Sequence, residues 1–339
     1  MTLRLAELPF DPELAPGARN AVRVCLRVQP EEKVTLIADE ASKEIAASLA
    51  RELESVGAPY HVWILEELAP RPLATMPQAI LDDLATSQVS LFAVQAQENE
   101  LRTRMQMTEV VTRRRIRHAH MVNINRQIML EGMRADFGKV DAISQRVFEI
   151  ASAGRSLRAS TPLGTDIAVD LEPRYRWLKT SGIISPEKWG NLPGGEVFTA
   201  PGCVNGTFVV DGVVGDYLCT KYGSLRDAPL TIQVRENRIT EVHSTNHALE
   251  DEFWRYTHTD ENSDRAGEVA IGTNVELRGV IGHILQDEKI PGVHIAFGNP
   301  YGDHTGAKWY SSTHIDVVGT EFDVWVDDRQ IMRRGQFLL

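Results

Sequence analysis

Up to about residue 154, short unbroken apolar runs take turns with longer segments whose apolar residues recur every three or four positions. The unbroken runs at 33–38, 60–65, 90–94 and 120–124 predict strands buried on both faces. The periodic segments at 18–28, 41–56, 105–117 and 137–153 predict amphipathic helices, the second stopped by Gly57 and the last by Gly154. Such βαβα alternation predicts a parallel or mostly parallel sheet covered by helices.

Beyond about residue 155 the period changes to two. Alternating runs at 166–170, 207–211 and 230–235 are separated by Gly, Pro and Asn turn signals. Hairpins are predicted to turn at Glu236-Asn237 and at Asp327-Asp328, and helices over 248–258 and near Ile284. The fold class expected is therefore α/β: a helix-covered, mostly parallel sheet in residues 1–155, then a β-rich α+β domain in residues 156–339. The first half has no Gly-x-Gly-x-x-Gly after its first strand and no phosphate-binding Gly-x-x-x-x-Gly-Lys-Ser/Thr, so it reads as scaffold, cleft wall or dimer surface.

Charge narrows the function. A net charge of −11 gives no electrostatic basis for nucleic-acid binding. The densest basic run, Arg113 to His118, reads as a solvated helix face. Cys25, Cys203 and Cys219 are too few and too scattered for a disulfide framework or a zinc knuckle, and Cys25 falls on an apolar helix face as a core residue. No run approaches the ~20 apolar residues of a membrane span. A cytoplasmic protein without a membrane partner is expected.

The chemistry concentrates in the second half. His314 and Asp316 are two apart on a strand-like run, so both side chains leave one face. A lone His-x-Asp is weak. Here His294, Glu196 and Glu268 also sit inside apolar or small-residue runs, where an unpaired charge would be costly. Together these five offer mixed oxygen and nitrogen donors for two divalent ions. Such donors without thiolates suit Zn, Co or Mn, with cellular availability favouring Zn. His304 reads as an exposed loop histidine and Lys289 as a helix-surface residue.

The segments Glu196-Val-Phe-Thr-Ala-Pro201, Gly267-Glu-Val-Ala-Ile-Gly-Thr-Asn274, Asp287-Glu-Lys-Ile290, His294-Ile-Ala-Phe-Gly-Asn-Pro-Tyr-Gly302 and Ser311-Ser-Thr-His-Ile-Asp316 resemble, in this order, the M29 family of metallo-aminopeptidases. The resemblance implies that Glu196, Glu268, His294, His314 and Asp316 bind a pair of divalent metals, that Tyr301 is an active-site phenol, and that the protein is a homodimer. It implies an aminopeptidase or related amide hydrolase acting on a peptide or small amide through a metal-activated water. One departure stands out: the family's Asn-Glu-Ser ahead of His-x-Asp reads Trp309-Tyr-Ser311 here.

Two other readings compete. Ring-opening 2,5-dihydroxypyridine dioxygenases resemble the same family and would need one Fe(II) on His294, His314 and Asp316. That triad has no use for Glu196 and Glu268, so their presence favours hydrolysis. A non-catalytic binding protein would leave the acidic cluster unexplained.

Overall fold

The computed structural model describes residues 5–97 and 99–339. They form two compact units, Met1–Gly138 with Gly182–Gly194, and Lys139–Ser181 with Gly195–Leu339.

The first unit carries a five-stranded, wholly parallel sheet in the order Tyr60–Ile64, Val34–Ala38, Val89–Ala93, Arg117–His120, Gly190–Asn191. Val34–Ala38 and Val89–Ala93 are buried along their whole length, as continuous apolar strands in a helix-covered sheet should be. The helix Lys43–Val56 ends where predicted, on Gly57 in the left-handed conformation, whose N–H closes back onto the last turn.

The basic run meets expectation at Arg113 and Arg114, which are exposed on a helix, and departs from it beyond them. The helix Leu101–Arg114 stops at Arg115, which is left-handed with φ 57°, and the next strand begins at once with Arg117. His118 is wholly buried. It bonds to the Ser90 hydroxyl at 2.8 Å through Nδ1, and to His120 at 3.2 Å through Nε2. His120 stacks on Phe92. Residues expected on a solvated helix therefore form part of a strand, because its buried face is lined by imidazoles rather than aliphatic side chains.

This pair has a consequence for pH. Burial lowers the His118 pKa from 6.5 to about 3 and holds His120 well below its ordinary value, with His118 and Arg104 adding to the latter. Below pH 6.5 the unfolded chain takes up protons that the folded one refuses. The first unit thus keeps its full stability above pH 6.5 and loses up to ~1.4 kcal/mol per pH unit per histidine as pH falls. Amide exchange of Arg117–His120, corrected for intrinsic rates, should accelerate from pH 7 to pH 5, and His118→Asn should flatten that slope. Equal protection at both pH values in the unmodified protein would refute the account.

The second unit begins before the predicted boundary near residue 155. The helix Phe137–Ala153 places Val147 and Ala151 in this unit's apolar core, so the helix belongs with the strands that follow it. An eight-stranded antiparallel sheet runs from Arg238–Ser244 through Cys203–Val210 and Asp166–Asp170 to Gln336–Phe337. Its hairpin at Glu236-Asn237 has both residues at positive φ (49° and 69°), the backbone of a two-residue turn matched to strand twist. A second antiparallel sheet has the order His314–Val318, Gly292–Gly298, Ala266–Gly272, Glu196–Thr199, Leu178–Thr180. Val197, Val269, Ile271, Val293, Ile295, Ile315 and Val317 from this sheet pack with Phe208, Val210 and Ile232 of the larger one in a single core. Apolar residues on the inner face leave the alternate positions of the second sheet free for polar side chains. No helix among the described residues is long and apolar enough to cross a membrane.

Candidate metal centre

Those alternate positions are the predicted donors. Register puts Glu196 opposite Gly272, His294 opposite Ala270, and Asp316 opposite Ala296. The small partners leave room for large polar groups. Glu268 stands opposite Ala296 in step with the rest of its strand, and the pairing slips just before it, between Ala266 and Glu268.

The five side chains converge. His294 Nε2 lies 3.5 Å from Glu196 Oε2 and 3.5 Å from Glu268 Oε1. His314 Nε2 lies 4.0 Å from Glu268 Oε2 and 3.5 Å from Asp316 Oδ1. Glu268 therefore turns one oxygen toward each imidazole. Among the described residues, donor atoms come within 4.8 Å of one another in three triads: Glu196–Glu268–His294, Glu268–His314–Asp316 and Glu288–His294–Asp316.

His314 is oriented from behind. Its Nδ1–H donates to the Asn299 carbonyl at 2.8 Å, which turns Nε2 toward the carboxylates. His294 Nε2 is buried and has no hydrogen-bond partner among the described residues. An orphaned imidazole nitrogen facing two carboxylate oxygens at 3.5 Å is the arrangement a divalent ion would satisfy, so the residues present fit a metal.

Two participants were not foreseen. Lys289, expected on a helix surface, is 1% exposed, and its Nζ lies 2.8 Å from Glu196 Oε1 and 2.5 Å from Glu288 Oε1. The correction has a local cause. The Asp287 carboxylate accepts the backbone N–H groups of Ile281, Gly282 and His283 at 2.8–2.9 Å, which ties down the turn Ile284–Asp287. Behind it, a Cβ on Gly272 would lie 1.9 Å from the Ile290 carbonyl oxygen. Only glycine lets this segment press against the strand and send Glu288 and Lys289 inward. The signal present in the sequence was a glutamate and a lysine beside apolar Ile290, two residues ahead of the His294 strand.

The charges are unequal to one another. Burial opposes ionisation of Glu196, but Lys289 overrides it and lowers the pKa. Asp316, also opposed by burial, is brought down to about 2 by His314. Burial raises Glu268, with Asp316 and Glu196 adding repulsion. Glu288 is raised to about 8 by burial, again reinforced by Asp316 and Glu196 over the pull of Lys289. Burial disfavours charge on His314, yet Asp316 and Glu268 lift it to about 10. The cage holds more negative charge than its one lysine neutralises, and it recruits protons when cations are absent.

Tyr301 stands at the rim. Its ring centroid is 4.4 Å from that of His314 and 6.4 Å from that of Phe198. The residue is 43% exposed, and its ring lies against His314 of the cage. Desolvation there, with the charges of Glu268, Asp316, Glu288 and Glu196, raises its pKa well above 10. Its backbone is left-handed (φ 48°, ψ 51°), a conformation that costs a non-glycine residue ~1–2 kcal/mol. Tyr301 N–H donates to Asn299 Oδ1 at 2.9 Å, so Asn299 steadies both Tyr301 and His314. His304 lies exposed on the short turn after Tyr301.

A β-rich unit with a buried cage of carboxylates and imidazoles has the donor set of a metal-dependent enzyme. The chain belongs to the thermophilic metalloprotease (M29) family, whose model matches residues 144–336, and is a hydrolase of that family. Among solved structures it is similar to wild-type AmpT from Thermus thermophilus, at 20% identity and a TM-score of 0.72 over 98% of this chain and 100% of that one. It is also similar to 2,5-dihydroxypyridine dioxygenase from Pseudomonas putida, at 14% identity and a TM-score of 0.69 over 99% of this chain and 98% of that one. At these identities the likeness is one of fold, and it bears out the expected α/β class. A comparison with curated protein sequences returns no match.

Proposed function

We propose that the protein is an aminopeptidase or closely related amide hydrolase that works with two divalent ions, Zn being the first choice and Co or Mn workable. The observation that carries this reading is the disposition of Glu268, one oxygen toward His294 and the other toward His314. Glu196, Glu268 and His294 would hold one ion, and Glu268, His314 and Asp316 the other, with Glu268 shared. Ions in these positions supply an activated water and polarise a carbonyl.

The chain's own residues do the rest. Asn299 fixes the His314 tautomer. The phenol of Tyr301, kept protonated by its surroundings, can donate to the oxyanion that develops when the carbonyl is attacked. The substrate class that suits the reading is a peptide or aminoacyl amide with a free amine, taken up by a protein that acts in the cytoplasm as a homodimer.

The alternative, ring cleavage with one Fe(II), would use His294, His314 and Asp316 as a self-sufficient triad. Here each of the three donor triads contains a glutamate. An anaerobic assay of the protein loaded with Zn, Co or Mn over a panel of aminoacyl amides and short peptides should show release of the N-terminal residue. Oxygen uptake on hydroxypyridines with Fe(II) alone, without amide cleavage under any metal, would replace hydrolysis by ring cleavage.

A further inference from the structure

Lys289 is an internal cation in a site built to receive cations. Its Nζ, on a residue 1% exposed, contacts Glu196 at 2.8 Å and Glu288 at 2.5 Å. These are two of the four carboxylates in the cage, the others being Glu268 and Asp316. An ammonium held between two carboxylates in a desolvated setting is charged and does not exchange with solvent. The sharing is uneven. The triad Glu196–Glu268–His294 depends on a carboxylate already paired with Lys289, and so does Glu288–His294–Asp316. Only Glu268–His314–Asp316 is free of it.

We infer that Lys289 makes the two metal positions unequal: the position at Glu268, His314 and Asp316 fills first and tightly, and the position that needs Glu196 binds weakly and exchanges. This inference rests on the two-ion reading above. Metal binding requires ionised carboxylates and neutral imidazoles, and in that state four carboxylates against one ammonium leave three uncompensated negative charges. The first dication removes two of them, so the second enters a cage with only one left and must compete with Lys289 for Glu196. Coulomb energy in a site of reduced dielectric makes both effects large. The design gives a protein that always keeps one ion, while its hydrolytic competence follows the supply of the second.

The test is a Co2+ titration of chelator-stripped protein, followed by calorimetry and by the visible absorption of the bound ion. Two steps are expected, the second ~10–100-fold weaker, which is the scale on which groups flanking metal ligands alter affinity. Lys289→Met should tighten the second step ~10-fold or more and narrow the gap, whereas Lys289→Arg, which keeps the charge, should preserve it. Two equal steps in the unmodified protein would overturn the inference, even if Lys289→Met fails to fold. So would a Lys289→Met protein whose gap is unchanged. Uptake that stops at one ion at millimolar Co2+ would overturn both the inference and the two-ion reading. No uptake at all would remove the metal centre itself.

Discussion

Glu268→Gln should lower kcat/KM by at least about a thousandfold, equivalent to ~4 kcal/mol of transition-state stabilisation. The size follows from its position. Glu268 Oε1 faces His294 and Oε2 faces His314, so the substitution takes a charged donor from two triads at once. Glu196→Gln removes a donor from one triad and should cost less. The protein should still fold. Burial and the repulsion of Asp316 and Glu196 raise the Glu268 pKa, which means that its charge opposes folding when no cation is present. A neutral, isosteric glutamine removes that penalty. Metal-free Glu268→Gln should therefore melt at or above the temperature of the metal-free parent, and the rise in melting temperature on adding Zn2+ should be lost. A variant that kept both near-normal turnover and the metal-induced shift would show that Glu268 is not shared between ions.

The same residue illustrates what could be read from sequence. His314 and Asp316 were legible because a spacing of two on a strand has only one geometric meaning. Glu196, Glu268 and His294 were legible because each interrupts an apolar run where a charge is costly. Glu288 and Lys289 obey neither rule. They follow a single turn of helix, Ile284–Asp287, and point inward because Asp287 ties that turn to the preceding loop and Gly272 lets the chain approach. Both causes are tertiary, and the charged pair beside apolar Ile290 neither has strand spacing nor interrupts an apolar run. The fold showed the same division. Strands made of aliphatic residues, such as Val34–Ala38, declared themselves. Arg117–His120 did not, because its buried face uses His118 and His120, and the apolar residues just after it drew the prediction three positions along.

Tyr301→Phe separates positioning from chemistry most cleanly. The change removes one hydroxyl and leaves the ring against His314 and Phe198, so packing and metal uptake should be unaltered. If the phenol donates to the oxyanion, the contact strengthens only as negative charge develops. The loss should then fall on kcat, by ~100–1,000-fold, with KM little changed. The raised pKa sharpens the expectation, since a phenol that stays protonated remains a donor throughout the working pH range. The left-handed backbone of Tyr301 agrees with a residue held for its side chain: the fold accepts the strain, and the Asn299 side chain anchors the Tyr301 N–H while its carbonyl anchors His314. Steady-state kinetics on an aminoacyl amide, with the Co2+ titration run beside it, gives both readouts. Unchanged kcat in a variant that still binds metal would reduce Tyr301 to a wall of the substrate cleft, and loss of metal uptake would make it part of the cage.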